Sequence, residues 1–247
     1  MVPDIPPEIE ATLKSLKKNR FQAHFVPTVA KAREMMLEMI PTEAVVANGD
    51  SVTLRQTGIL DELVKRGNKV LNPFTRGSTT GMMDDPAKLK EHIRLERLAF
   101  SSDIFLASAN AITEDGKIVS IDRAGNRVAG TIFGAPKVIL AVGRNKITRD
   151  VHAAIHRIKN VITPAHAGQK GRRTPCAVSG KCSECDSPDR LCNVTIILER
   201  KPVFTDLSII LIDEDLGLGW DPDWDERRIS EIRDNYARNI WLFSKPK

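Results

Sequence analysis

All four cysteines of the chain lie in one short segment, TPCAVSGKCSECDSPDRLCN, between Thr174 and Asn193. Cys176, Cys182, Cys185 and Cys192 are spaced C-x5-C-x2-C-x6-C. Thiols this dense either pair as disulfides or hold a metal. The N-terminal stretch MVPDIPPEIEATLKSLKKNR carries acids and prolines and lacks the apolar core of a secretory leader. A cytoplasmic location is therefore expected, and reducing compartments disfavour disulfides. Structural zinc sites use two tight C-x2-4-C pairs, and here only Cys182–Cys185 forms one. The longer outer arms suit a [4Fe–4S] cluster, whose irons sit at separate corners; zinc remains the alternative on spacing alone. Pro175, Gly180 and Pro188 would help the loop wrap, and Lys170, Arg172, Arg173, Lys181 and Arg190 would offset the charge of an anionic site. A cubane with all four irons capped by thiolate passes single electrons and offers no open corner to a substrate oxygen.

A second polar constellation is SANAITEDGKIVSIDRAGNRVAG, Ser108–Gly130. Asn110 stands at a strand end, Glu114 in a turn, Asp122 at a hairpin end, and Gly125, Asn126 and Arg127 where a helix should begin. Ligands of open α/β sheets sit beyond the carboxyl ends of strands. Amides at Gly125–Asn126 would suit an anion, and Arg127 a two-pronged contact with carboxylate or phosphate. Glu114 and Asp122 are the candidate acid–base groups. Gly49, Ser51 and Thr53, in NGDSVT between a strand and a helix, form a second candidate anion contact, although the stretch is neither a P-loop nor a dinucleotide fingerprint. Lys146, after an apolar strand, is a third. His152 and His156 share a helix face without a third ligand, and His166 reads as a loop residue. No serine–histidine–aspartate or cysteine–histidine set can be assembled from order alone.

The elements that must position these groups alternate. Helices are expected over Ile5–Arg20 and over VAKAREMMLEMI, capped by Thr28 and ended by Pro41. AVVANG (44–49) reads as a buried strand. SVTLRQTGILDELVKRG reads as one helix closed by Gly67. KVLNPF (69–74) is a strand, followed by a polar loop over 75–86 and a charged helix, Ala87–Phe100. IFLASANAI (104–112) reads as one strand, with KIVSID (117–122) hairpinned to it at the sheet edge. PKVILAVG (136–143), a helix over Asn145–Asn160, the strands NVTIILER and LSIILID, and a final helix Asp225–Phe243 complete the pattern. Its stripe is Ile229, Ile232, Tyr236, Ile240 and Phe243. Alternation of this kind implies an α/β fold, a mostly parallel sheet with helices on both faces. One domain over 1–247 is expected, with the cysteine loop inserted at 169–193.

Composition narrows the function. Aromatic residues make up 5% of the chain and no basic–aromatic alternation occurs, so nucleic acid is not an expected partner despite a net charge of +5. No apolar run approaches the roughly 20 residues of a membrane helix. QKGRR (169–173) reads as a solvated loop or as charge compensation for the cysteines.

NAITEDGKIVSIDRAGNRVAG, FGAPKVILAVGRNKI and TPC…GKCSEC…CN together resemble the LUD-domain family, in particular its lactate-utilization protein C group, over roughly residues 10 to 215. The resemblance implies a fold similar to the superfamily of ribose-phosphate isomerase, glucosamine-phosphate deaminase and CoA transferase. It also implies a role near lactate oxidation to pyruvate with iron–sulfur or other redox protein partners, and it tips the cysteine loop toward iron–sulfur. Many lactate-utilization C proteins lack this loop, so the chain resembles a cysteine-bearing branch. The expected function is an iron–sulfur electron-transfer accessory protein that binds a small carboxylate or phosphorylated ligand. The alternatives are a non-redox isomerase- or CoA-transferase-like enzyme with a structural metal loop, and a ligand-sensing or assembly protein.

Overall fold

Long apolar runs with no polar alternation must be covered on both faces, and the computed structural model, which describes residues 5–75 and 82–241, shows how. Helix α1 (Pro7–Lys18) leads into strand β1 (Gln22–Val26), then α2 (Val29–Met39), β2 (Val45–Asn48), α3 (Val52–Thr57), α4 (Ile59–Arg66), β3 (Lys69–Leu71) and α5 (Pro86–Leu98). β4 (Ile104–Ala107), β5 (Ala111–Thr113), β6 (Ile118–Asp122), α6 (Asn126–Ile132), β7 (Lys137–Gly143) and β8 (Ile147–Thr148) follow. A long helical rod then runs through α7 (Val151–Arg157), a π-helical turn (Ile158–Ile162) and α8 (Thr163–Gln169). The chain closes with α9 (Pro175–Ser179), β9 (Val194–Leu198), β10 (Asp206–Ile212) and α10 (Glu226–Asn239). Phe243 and residues 76–81 of the expected polar loop lie outside the described residues.

Six strands form a wholly parallel sheet in the order β1-β10-β7-β4-β2-β3. β7 and β10 are buried along nearly their whole length. Val138, Leu140 and Val142 face one layer with α1, while Ile139 and Ala141 face α2 and α4, the two-sided burial that an unbroken apolar strand requires. A second, four-stranded sheet, β8-β5-β6-β9, packs under the π turn and α10 around Val119, Ile121, Ile158, Trp220 and Ile232.

Several sequence expectations change. Residues 22–26 form the edge strand β1 rather than part of an all-helical start, because β10 supplies a parallel partner. The helix expected over 51–67 breaks at Gly58, which takes a left-handed conformation (φ 68°), one that glycine adopts without steric cost. The strand expected over 104–112 is two strands in two sheets, separated at Ser108–Asn110. The 117–122 hairpin belongs to the second sheet. The helix expected from Asn145 starts at Val151, where Asp150 caps it by accepting from Ala153 N at 2.8 Å.

Candidate functional site

Reading outward from β4, the parallel sheet grows one way through β2 and β3 and the other way through β7 and β10. The chain reverses direction between β2 and β4, and a crevice opens beyond strand carboxyl ends at such a switch point. Here it is a cavity of about 580 Å³. Asp50–Thr53 follow β2 into it, Ser108–Asn110 follow β4, Lys146 follows β7, and Gly217–Leu218 follow β10. The rod contributes Ile158, Ile162, Thr163 and His166.

Lys146 is 5% exposed. A short turn, Arg144–Lys146, carries it inward. The buried Asn145 side chain pins that turn to the loop after β10, donating to Gly219 O at 2.9 Å and accepting from Leu216 N at 2.9 Å. Lys146 Nζ donates to Thr53 Oγ1 (3.0 Å), Ser108 Oγ (2.8 Å) and Ala109 O (3.0 Å). No carboxylate pairs with it among the described residues. Burial, and secondarily the Arg127 guanidinium, lower its pKa from 10.5 to about 7.

Arg127 binds only neutral oxygens. Nη1 donates to Ser108 O (3.0 Å) and Ser120 Oγ (3.4 Å); Nη2 donates to Asn110 Oδ1 (3.0 Å) and Ile121 O (2.9 Å). It clamps the gap between the two sheets and leaves its charge to the cavity. The expected two-pronged anion contact is not available, because both terminal nitrogens are occupied by protein. Gly49 lies against the Arg127 stem, where a Cβ would come within 2.9 Å of its Cγ; this close approach is what the glycine permits.

A further, partly buried cluster lines the same cavity. Asp50 pairs with Arg55 and, at 3.5 Å, with Lys170. Burial raises the Asp50 pKa, but Lys170 and Arg55 outweigh it and hold the carboxylate below its ordinary value. His166 is hydrogen-bonded to the Tyr236 hydroxyl. Burial first, then the Lys170 ammonium, push His166 down to about 4, so it is neutral near pH 7. In all, Arg55, Arg123, Arg127, Lys146, Lys170 and Arg172 line the cavity against Asp50, Glu96 and Asp122. The excess of cations suits an anionic ligand.

Of the residues singled out in the sequence, Ser51, Thr53, Asn110, Asp122, Asn126, Arg127 and Lys146 line this cavity together. Ser51 Oγ also caps α3 by accepting from Leu54 N at 3.3 Å. Asp122 accepts from Arg123 N and Val128 N, and Asn126 Nδ2 donates to Glu96. Gly125 (φ 85°) precedes α6 and stands behind the lining. Glu114 is exposed in the β5–β6 turn and does not reach the cavity. His166 is helical and half-buried rather than a loop residue, and QKGRR sends Lys170 and Arg172 into the cavity instead of solvent. Sequence reasoning missed the His166–Tyr236 pair, 70 positions apart; the one available signal was the chain's single tyrosine on the apolar stripe of the last helix.

The cysteine loop forms part of the cavity wall through Pro188 and Leu191. Asp189 lies 3.9 Å from both Arg123 and Arg172. Cys176 is buried in α9, its sulfur 3.3 Å from Thr174 Oγ1. Cys182 N donates to Asn160 Oδ1 (3.2 Å), and Glu184 N donates to Cys182 Sγ (3.5 Å). Arg190 donates to Cys185 O (2.5 Å) and Cys192 O (3.2 Å). Burial raises the Cys192 thiol pKa; Arg190 opposes this, and Cys182 and Cys185 add to it, which places these three thiols within electrostatic reach of one another. Among the described residues, no three or more His, Cys, Asp or Glu side chains are grouped as a metal site. The donor chemistry nonetheless fits a thiolate-ligated metal. Four thiols share one loop, an N–H points at sulfur, and Arg190 and Lys159 lie where thiolate charge would develop.

A family model described as LUD domain matches residues 9–212. No curated protein matches the chain. Among solved structures, a DUF162 family protein from Deinococcus radiodurans is similar at 10% identity and a TM-score of 0.46, over 83% of this chain and 96% of that chain.

Proposed function

Because the chain belongs to the LUD domain family, we propose that it serves a lactate-utilization-type oxidation as a redox accessory protein. Its cavity takes a small carboxylate or phosphorylated compound, and its cysteine loop holds a metal cofactor. The observation that carries this reading is the cation excess at the carboxyl end of the sheet, walled on one side by the cysteine loop. Cys176, Cys182, Cys185 and Cys192 would hold a [4Fe–4S] cluster, which supplies one-electron transfer to redox protein partners when bound. Cys192, whose thiol is shifted up, must lose its proton on metal binding. Arg190 and Lys159 then stabilise the thiolates, and Arg127 and Lys146 attract the anion.

Anaerobically purified protein should be brown, absorb broadly near about 400 nm and give a paramagnetic signal on reduction. It should also bind phosphate or a small carboxylate saturably by calorimetry. Colourless protein holding zinc after anaerobic iron–sulfur reconstitution would overturn the redox reading, and absence of anion binding would overturn the cavity reading. Lys146 favours a second reading, an enzyme without redox chemistry whose cysteine loop is structural. A buried lysine with no counter-ion is a common device of proton-transfer sites.

A further inference from the structure

Ser108 is the first residue after β4, where the chain leaves the parallel sheet before β5 begins. Its carbonyl is fixed by Arg127 Nη1 at 3.0 Å, and its hydroxyl lies 2.8 Å from Lys146 Nζ. Both side chains line the cavity and both are nearly buried. As an ammonium, Lys146 places its three N–H groups on Thr53 Oγ1, Ser108 Oγ and Ala109 O. As a neutral amine it keeps two donors, for Ala109 O and Thr53 Oγ1, and turns its lone pair to Ser108, whose O–H then donates to nitrogen. The Lys146 nitrogen is hydrogen-bonded in both protonation states, so a proton can cross between Ser108 and Lys146 without leaving that nitrogen unpaired. Gly217 packs beside Thr53, where a Cβ would come within 2.8 Å of Thr53 Oγ1. The backbone of Gly217 thus approaches Thr53 and Lys146 closely, while Ser108 is the nearer of the two hydroxyls to Lys146 Nζ and is less deeply buried than Thr53.

We propose that Ser108 and Lys146 form a serine–lysine nucleophile pair, making the cavity an acyl-transfer site for an acyl compound that carries a carboxylate or phosphate group. Hydroxyl–amine pairs of this kind activate serine without a histidine. The substrate class rests on the anion-binding reading of the cavity; the nucleophile does not. Ser108 Oγ bonds to the carbonyl carbon while its proton passes to Lys146 Nζ. The bond to the leaving group then breaks, and that group takes the proton from Lys146, which leaves an ester on Ser108. Water, giving a proton to Lys146, attacks the ester; the acid departs, and Ser108 regains its proton from Lys146. Arg127, bound only to neutral oxygens, supplies positive charge toward the oxyanion of each tetrahedral intermediate.

The test is covalent labelling of the full chain with a small alkyl fluorophosphonate, mapped by peptide mass spectrometry. Ser108 should be the labelled residue. Its labelling rate should rise with pH through about 7, the value to which burial and then Arg127 lower Lys146. Lys146→Met, which keeps the aliphatic stem, should slow labelling by about 100-fold or more, and Ser108→Ala should abolish it. Thermal unfolding and far-UV circular dichroism, measured on the same samples, show whether each variant is folded. Wild-type protein that binds phosphate but leaves Ser108 unlabelled overturns the nucleophile pair and spares the cavity reading. Labelling that persists in a folded Lys146→Met variant, or does not vary with pH, also overturns it. Labelling of Ser108 without any phosphate binding supports the pair and removes the anionic substrate class.

Discussion

Lys146 combines two properties that seldom coincide in a lysine: it is buried, and its hydrogen bonds all end on neutral oxygens. Desolvation of the ammonium is therefore not offset by a carboxylate, and Arg127 adds repulsion. The consequence for stability has a definite sign. The folded state binds this proton more weakly than the unfolded chain, so the penalty is absent above about 10.5. It grows as pH falls toward about 7 and is complete below that. Lys146→Met removes the penalty together with three hydrogen bonds whose loss costs much the same at any pH. The stability of the variant relative to wild type should thus be higher by about 2–3 kcal/mol at about pH 6 than at about pH 9, measured by urea unfolding. A difference independent of pH would show that Lys146 titrates near its ordinary value. Tyr236 and His166, both in the cavity wall, stay neutral together: desolvation raises the tyrosine and lowers the histidine.

At the scale of elements, the rod from Val151 to Gln169 touches both the cavity and the cysteine loop. Pro164 cannot donate a backbone hydrogen bond, and its ring crowds the carbonyl four residues earlier. The rod answers with a π turn just before it, in which Thr163 N donates to Ile158 O. π turns of this kind concentrate at functional sites. This one turns Ile158 and Ile162 toward the cavity, while Lys159 and Asn160 reach the cysteine loop through Glu184 and the Cys182 amide. Asn160→Ala removes the anchor of Cys182 without touching a cavity group. It should speed metal loss to a chelator by about 10-fold, in the range of other lost supporting contacts, and leave phosphate affinity unchanged in calorimetry. The break of one expected strand into β4 and β5 also shapes the cavity, because the gap between them is where Ser108 and Asn110 line it.

At the scale of the whole molecule, the parallel sheet, the second sheet, the rod and the cysteine loop all meet at one cavity. Asp189 sits beside both Arg123 and Arg172, and Pro188 and Leu191 are wall residues, so the loop and the cavity share contacts. We propose that metal in the loop and anion in the cavity are coupled through this shared wall; any such coupling is reciprocal. Removing the metal by chelation should weaken phosphate binding by about 5-fold or more, the low end of ordinary coupling. Phosphate should correspondingly retard metal loss. Equal phosphate affinities with and without metal would show that the loop and the cavity are independent.

The residues themselves determined a good deal. Two-sided apolar runs at 44–49, 136–143 and 207–213 dictate a parallel sheet covered on both faces, and Thr28 and Gly67 mark helix ends through local hydrogen bonding and backbone sterics. Four thiols confined to one loop, with a single tight Cys182–Cys185 pair, raise the expectation of a metal from spacing alone. Tertiary structure alone decided that Ser108, Lys146, Arg127 and the cysteine loop share a cavity while Glu114 does not. It also turned Arg127 from an anion contact into a clamp, and Lys170 from a solvated cation into a buried partner of Asp50. The reason is physical. Helix and strand periodicity depend on near neighbours, whereas a lysine's charge state depends on how much water is excluded around it and on which distant groups pack there.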